Sequence, residues 1–325
     1  MEPLTILDPD LPIIDAHHHL WLEGGHGGQR AYTVEQLHRD TATGHDIRAT
    51  VFVECHSCYR SDGPAERRPV GEIEFVAAQA AEARRRGGPP IAAIVGHADL
   101  SLGDAVQDVL EAHEAAGGGL FRGVRHTTAH DPSPMNNSTG QAGLMAEPAF
   151  RDGVRALGRL GHSYDAFFFH PQLPEAVALA RACPEVTIVT NHFGTPIAGG
   201  PYRGRAEETR AFWRGQIAEL ARCTNVVMKL GAITRPLSGD RWDRNPTTAT
   251  AADIDRAWRD EIRWCIDHFG PDRCLFESNF PVDKPCVSYA ELWNGFKLAT
   301  ADYGPAERRA LFHDTAARVY RIDLG

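Results

Sequence analysis

Residues 12–19 read Pro12-Ile13-Ile14-Asp15-Ala16-His17-His18-His19, an apolar start followed at once by a polar end. Such a short apolar run is typical of a strand that is buried on both faces of a parallel sheet. Seven further segments of similar length share its richness in Val, Ile, Leu and Phe. We predict strands at 12–19, 48–55, 91–98, 120–126, 163–170, 186–192, 225–231 and 273–279.

Longer segments with helical periodicity separate these strands. They lie at 33–43, 71–86, 104–116, 147–160, 173–183, 205–222, 253–269 and 289–302, with a terminal helix at 305–320. Regular alternation of strands and helices indicates an α/β fold with a parallel sheet. A doubly wound open sheet is the competing architecture, but eight strand–helix units in a row favour a (β/α)8 TIM barrel with long βα loops.

The composition bounds the class of protein. The chain has 325 residues, a net charge of −9 and 42% hydrophobic residues, which is enough to build a sizeable core. No linker or repeat divides it, so we predict one domain over 1–325. The acidic balance argues against nucleic-acid and anionic-membrane partners, because both need a basic surface. We expect a small-molecule substrate, and the sequence leaves homo-oligomer formation open.

The first residues, the apolar runs and the cysteines indicate where the protein is expected to reside. The first residues lack the apolar stretch of a signal peptide, and no apolar run is long enough to cross a membrane. Seven cysteines, an odd number, indicate reduced thiols rather than a disulfide framework. We therefore expect a cytoplasmic protein.

Four of the predicted βα connections are long, at 20–32, 56–70, 127–146 and 232–252. Long loops in compact domains are usually functional. In a TIM barrel all βα loops emerge at the C-terminal face, where active sites lie. Polar side chains stand at the same ends of most strands, namely His17, His19, Glu54, His56, Arg125, His126, His170, Asn191, His192, Lys229, Glu277 and Asn279.

The first strand carries the clearest metal-binding pattern. His17 and His19 are two residues apart, so they share one face of a strand, and His18 faces the helix layer. Two neutral imidazoles on one face suit a divalent metal such as zinc, which binds histidine nitrogen at about 2.0–2.1 Å.

Four segments resemble the amidohydrolase superfamily, in its amidohydrolase-related, fuconolactonase-like branch of TIM-barrel hydrolases. They are Asp15-Ala16-His17-His18-His19-Leu20-Trp21, Phe121-Arg122-Gly123-Val124-Arg125-His126, Asn191-His192-Phe193-Gly194-Thr195-Pro196 and Phe276-Glu277-Ser278-Asn279-Phe280-Pro281-Val282-Asp283. The resemblance spans nearly the whole chain. It implies a metal-assisted hydrolase, commonly acting on lactones, with His17, His19, His170 and His192 as metal ligands.

One position departs from that family. Its members usually carry an Asp at the end of the eighth strand, which ligates the metal and takes a proton from the attacking water, and Asn279 stands there in this chain. An amide is a poor ligand beside a carboxylate and cannot act as a general base. Asn191 also stands where an Asp is common. The expected zinc ion is therefore either weakly held or dispensable.

If water is to be activated, another carboxylate has to serve. The candidates are Glu54, Glu277 and Asp283, with Asn279 beside them. Each has a structural alternative: Glu277 could pair with Lys229, and Asp283 with Lys284 or a loop arginine.

The planar guanidinium of Arg125 suits a substrate carboxylate or an oxyanion. His126, Tyr59, Arg60 and Trp21 join it as candidate substrate-binding residues, and Arg235, Arg244 and Trp242 lie on a loop of the same face.

The leading hypothesis is a hydrolase that opens a lactone or ester of a small oxygen-rich or carboxylated substrate, with water activated by histidine and carboxylate, with or without a metal. The alternative on the same scaffold is a metal-dependent decarboxylase or hydratase of an aromatic acid. A third, a binding barrel without catalysis, fits the retained histidines less well.

Overall fold

A computed structural model describes residues 4–23, 30–133, 136, 138–234 and 249–324 of the chain. Strands and helices alternate through it as the sequence predicts. The strands are β1 Pro12–His18, β2 Asp46–Val53, β3 Ile91–Gly96, β4 Phe121–Val124, β5 Ser163–Ala166, β6 Ile188–Thr190, β7 Val226–Leu230 and β8 Cys274–Phe276.

One α-helix follows each strand. These are α1 Val34–Thr41, α2 Val70–Arg86, α3 Gln107–Ala116, α4 Pro148–Arg159, α5 Leu173–Ala182, α6 Ala206–Ala221, α7 Ala251–Phe269 and α8 Tyr289–Ala299. The chain then continues through α9 Pro305–Arg309, a π-helical turn at Ala310–Asp314 and α10 Thr315–Val319, so the terminal helix predicted at 305–320 is interrupted.

The strands form one parallel sheet in sequential order, β1 to β8. The sheet returns to its first strand through a parallel bridge between His18 and Phe280. The backbone N–H of His19 donates to the carbonyl of Phe280 at 2.8 Å, and that of Asn279 to the carbonyl of His17 at 2.9 Å. Sequential order with closure is the (β/α)8 barrel, and it excludes the doubly wound alternative.

The predicted third helix starts later than its sequence pattern suggests. Residues Leu100–Val106 form a 3-10 turn that Asp99 caps through the backbone N–H of Ser101. Gly103 inside this turn has φ 59° and ψ −136°, a conformation that no α-helix contains. The regular helix α3 therefore begins only at Gln107.

Two apolar layers surround the strands. The larger one packs the helices against the outside of the barrel. The smaller one fills the lower part of the interior with aliphatic side chains from six strands, including Ile14, Val51, Val95, Val189, Val227 and Leu275. Val319 and Tyr320, at the end of α10, join this inner cluster and close the bottom of the barrel. The interior is thus packed below and free for chemistry only at its upper end.

A β-bulge in β1 shapes that upper end. The pairing of β1 with β2 slips by one residue between Asp15 and His18. Ala16 belongs to the inner cluster, and the adjacent His17 also reaches interior residues of other strands. His18 faces outward as predicted, with its ring 6.0 Å from that of Phe52. Of the helices in the described ranges, none is long and apolar enough to cross a membrane.

Candidate active site

His17, in β1, and His19, directly after it, lie side by side at the upper end of the barrel. The Nε2 atoms of His17 and His19 are 3.1 Å apart, and both rings are buried. The Nδ1 of His19 lies 2.8 Å from the carbonyl oxygen of Val53. Burial, and then the charges of Lys229 for His17 and of Arg125 for His19, hold the pKa of both imidazoles well below its usual value. Both are neutral at physiological pH, which is the form that binds metal.

Glu277 links β1 to the sixth strand. Its Oε1 lies 2.6 Å from the Nδ1 of His192, and its Oε2 lies 2.7 Å from the Nδ1 of His17. One donor atom from each of these three residues lies within 4.8 Å of the others, a spacing that suits a metal ion. The pairing of Glu277 with Lys229, which the sequence allowed, is not the arrangement observed.

Two buried ion pairs flank the imidazoles. Arg125 Nε donates to Glu54 Oε1 at 2.7 Å, and Arg125 Nη2 donates to the Glu54 carbonyl. Burial has the largest single effect and raises the pKa of Glu54, but Arg125, His56 and His97 together outweigh it and leave that pKa below its ordinary value. The remaining nitrogen, Arg125 Nη1, lies 3.3 Å from the Nε2 of His17.

Lys229 forms the second pair, directly below. Its Nζ donates to Asp165 Oδ2 at 2.7 Å and lies 3.5 Å from the Nδ1 of His17. The same Asp165 oxygen accepts from Asn191 Nδ2 at 3.2 Å and from the hydroxyl of Tyr320 at 2.9 Å. Carboxylates thus hold both of these cations. Among the described residues, no cation pairs with Glu277 or Asp283, the other acids near the imidazoles.

Asn279 and Asp283 lie together on the other side. Asn279 Nδ2 donates to Asp283 Oδ1 at 3.1 Å, and the backbone N–H of Ile233 donates to Asp283 Oδ2 at 3.1 Å. Burial raises the pKa of Asp283 to about 7, against its hydrogen bonds. Lys284, the partner that the sequence suggested for Asp283, instead donates to Asp40.

A cavity of about 380 Å³ opens above these groups, within the range of small-molecule sites. His19, Arg125, His192, Asn279 and Asp283 are part of its lining. Its apolar walls come from Phe167, Phe169, Ile197, Trp258 and Val282. Sequence reasoning missed these walls, because an apolar side chain beyond a strand end has the same pattern as a core residue.

Other candidates from the sequence engage different partners. The Nδ1 of His170 accepts from the backbone N–H of Ile197 at 3.3 Å, and its ring packs 4.9 Å from Tyr202. The Nδ1 of His126 accepts from the N–H of Leu100 at 3.1 Å. The remaining three are placed as follows: Tyr59 bonds His56, Arg60 pairs with Glu74, and Trp21 donates to the Arg30 carbonyl. Arg235, Trp242 and Arg244 lie outside the described residues.

The donor set fits a metal ion. A carbonyl oxygen only accepts, so Val53 requires a proton on Nδ1 of His19 and leaves a lone pair on its Nε2. A guanidinium only donates, so Arg125 requires a lone pair on Nε2 of His17. Arg125 donates to the lone pair of His17, so a divalent ion bound to both Nε2 atoms, which are 3.1 Å apart, would take the place of that contact. His19 is part of the lining of the cavity that a divalent ion would enter.

The amidohydrolase family model matches residues 14–322. The chain belongs to the amidohydrolase family. This amidohydrolase is 30% identical to an uncharacterized protein, y4mH, of Sinorhizobium fredii, over 96% of this chain and 99% of that one.

Two further relatives carry chemical information. An L-fucono-1,5-lactonase of Burkholderia multivorans is 28% identical over 71% of this chain and 72% of its own length. A crystal structure of a Burkholderia multivorans amidohydrolase with bound zinc superposes with a TM-score of 0.73 at 25% identity, covering 96% of this chain and 99% of that one. The family and these relatives identify this amidohydrolase as a hydrolase, and the zinc-bound neighbour and the His/Glu group support a divalent metal.

Proposed function

We propose that this amidohydrolase opens a lactone, with a zinc ion held by His17, His19 and His192. The observation that carries the proposal is the pair of Nε2 atoms 3.1 Å apart beneath the cavity, both with lone pairs. When bound, zinc would polarise the ring carbonyl and lower the pKa of water. The similarity to an L-fucono-1,5-lactonase supports a lactone as the substrate class.

His170 is not part of this proposed set, although the resemblance to the family implies it. Its Nδ1 accepts a hydrogen bond from a backbone N–H, so the ring carries its proton on Nε2. A protonated nitrogen cannot ligate a metal. The ring would have to change tautomer and lose the Ile197 contact before it could bind.

Asp283 is the proposed general base. Glu54 is held by Arg125, and Glu277 lies against two imidazoles. Asp283 lines the cavity, and the described residues that donate to it are neutral. A base works best when its pKa is near the operating pH, and burial raises the pKa of Asp283 to about 7. Asn279 positions this carboxylate through the hydrogen bond from its side-chain amide.

Arg125 is the proposed donor to the oxygen on which negative charge develops. Glu54 holds two of its nitrogens and so fixes the plane of the guanidinium. The third, Nη1, remains directed toward His17 beside the cavity. A rigid donor aimed at developing charge stabilises a transition state without reorganising.

The test combines metal analysis of the purified protein with turnover of a panel of sugar, alkyl and aryl lactones, before and after chelation. We expect hydrolysis that is lost on chelation and restored by zinc. Absence of turnover on every lactone and ester would overturn the proposed function. Release of carbon dioxide from hydroxybenzoates by the same preparation would favour a decarboxylase instead.

A further inference from the structure

The orientation of an imidazole ligand depends on which of its nitrogens carries the proton. A histidine with its proton on Nδ1 offers the lone pair of Nε2, and an acceptor beside Nδ1 keeps it in that tautomer. For His19 this acceptor is the Val53 carbonyl at 2.8 Å. His17 and His192 have no backbone carbonyl in that role among their hydrogen bonds in the described chain. Glu277 takes the role for His192, and its other oxygen lies 2.7 Å from the Nδ1 of His17 without hydrogen-bonding geometry.

For His192 a single hydrogen bond indicates which nitrogen carries the proton. Its Nδ1 lies 2.6 Å from Glu277 Oε1, in hydrogen-bonding geometry. An ionised carboxylate can only accept, so the proton lies on Nδ1 of His192. The Nε2 of this ring then carries the lone pair, and the ring is part of the cavity lining.

For His17 two neighbours compete at Nδ1. Glu277 Oε2 lies at 2.7 Å without hydrogen-bonding geometry, and its negative charge favours a proton on Nδ1. Lys229 Nζ lies at 3.5 Å and would donate to Nδ1. The ammonium of Lys229 is already bound to Asp165 at 2.7 Å. The opposite nitrogen decides, because Arg125 can only donate to Nε2. The proton of His17 therefore lies on Nδ1, beside Glu277.

The backbone around Glu277 is shaped to receive its side chain. A Cβ at Gly231, on the neighbouring strand, would lie 2.2 Å from Glu277 Cγ, far inside van der Waals contact. Only glycine at position 231 leaves room for the glutamate, which is fully buried. Its two oxygens thus have fixed directions, one toward each ring.

We propose that Glu277 is a positioning residue. It holds His192 in one tautomer through a hydrogen bond and favours the same tautomer of His17 through its nearby charge, so that both rings present Nε2 lone pairs. Glu277 lies on the Nδ1 side of both rings, opposite the Nε2 atoms that would bind the metal. In this proposal it is not itself a metal ligand. Its use to the enzyme rests on the proposed function, but the tautomers themselves can be measured without substrate or metal.

The direct test is nitrogen NMR of the metal-free protein, labelled with ¹⁵N in its histidine rings and assigned through single His→Gln variants. We expect His17, His19 and His192 all to carry the proton on Nδ1. A proton on Nε2 of His17 or His192 would overturn the proposal and would favour Glu277 as a ligand beside their Nδ1 atoms. Failure of the lactone panel leaves this measurement untouched.

Glu277→Gln separates positioning from packing. Its amide oxygen can still accept from His192, but the negative charge beside Nδ1 of His17 is lost. An NH₂ group in place of Oε2 would favour a proton on Nε2 of His17 instead. We expect that switch in the spectrum, together with a 10–100-fold loss of zinc affinity against a chromophoric chelator, as for other residues that orient metal ligands.

Glu72→Gln is the matched control, since Glu72 is a buried glutamate that bonds the backbone N–H groups of Cys55 and Ser57 and no imidazole. It should leave all three tautomers and the zinc affinity unchanged. Gly231→Ala provides a second route that keeps the carboxylate but displaces it, and it should reproduce the tautomer switch. Unchanged tautomers in folded Glu277→Gln protein would refute the positioning role.

Discussion

Below the imidazoles the barrel interior holds aliphatic side chains such as Val51, Val227 and Leu275, whereas above them it holds buried ions and imidazoles. Both levels come from the same strands, two residues apart: Val227 precedes Lys229, and Leu275 precedes Glu277. The lower level is stabilised by volume and contact, which tolerate exchange of similar shapes. In the upper level every charge depends on a particular partner, since an unpaired buried ion is strongly destabilising.

The largest predicted effect is on activity, at Asp283, the proposed general base in the polar upper level of the barrel. Asp283→Asn is expected to lower kcat/KM by about 10²–10⁴-fold, the usual contribution of a general base. In the unmodified protein, protonation below the raised pKa of about 7 removes the base, so activity should rise with pH through that value.

The pH profile of kcat/KM on the best lactone measures this, with exposed Asp302→Asn as control. Full activity in Asp283→Asn would remove Asp283 from the mechanism.

The second largest effect is expected on the free energy of unfolding, when the buried ion pair between Lys229 and Asp165 is broken. Lys229→Met removes the cation beside the buried Asp165, and the donors that remain among the described residues are Asn191, Tyr320 and Ser163. The free energy of unfolding should fall by about 3–5 kcal/mol in denaturant titrations. The double variant Lys229→Met/Asp165→Asn, which removes both charges, should recover much of the loss. A single variant within 1 kcal/mol of the parent, on the order of an exposed pair, would contradict the comparison.

The lower level should respond to volume instead of charge. Leu275→Ala is expected to lower the free energy of unfolding by about 2–5 kcal/mol, because the cavity it leaves has apolar walls. Leu275→Met keeps the volume and should lose less than about 1.5 kcal/mol. Equal losses in the two variants, measured in the same titrations, would show that shape does not dominate there.

The smallest effect is expected at the surface. Arg60 is paired with Glu74, and both side chains are exposed. Arg60→Ala should change the free energy of unfolding by no more than about 1 kcal/mol. The same variant tests the predicted role of Arg60 in substrate binding. A tenfold rise in KM would support that role, and an unchanged KM would contradict it.

The first strand shows which side-chain directions could be predicted from the sequence and which could not. His17 and His19 were predicted from their two-residue spacing, and they lie together with His18 outward. That same spacing would turn Asp15 inward, but the bulge turns it toward Ser278 and Tyr289 of the outer layer. A bulge depends on how two strands pair, and residues of one strand alone do not reveal it.

The partners of the buried charged side chains could not be predicted from the sequence either. The sequence suggested Lys229 for Glu277, yet Lys229 pairs with Asp165 two strands away and Glu277 with two imidazoles. The sequence placed His170 at a strand end like His192. In the structure His170 lies four residues beyond Ala166, the last residue of β5, and its ring packs against Tyr202. Such choices depend on the register of neighbouring strands and on loop paths.

The amino-acid sequence by itself determined the alternation of eight strands and helices, because hydrophobic periodicity is a local property of the chain. It also determined which end of the barrel is polar, since strand direction places every strand end on one face. Only the tertiary structure decided which nitrogen faces which acceptor and which acid is left without a cation. Those outcomes arise from distances between strands far apart in sequence, where a shift of one residue exchanges the partners of a buried charge.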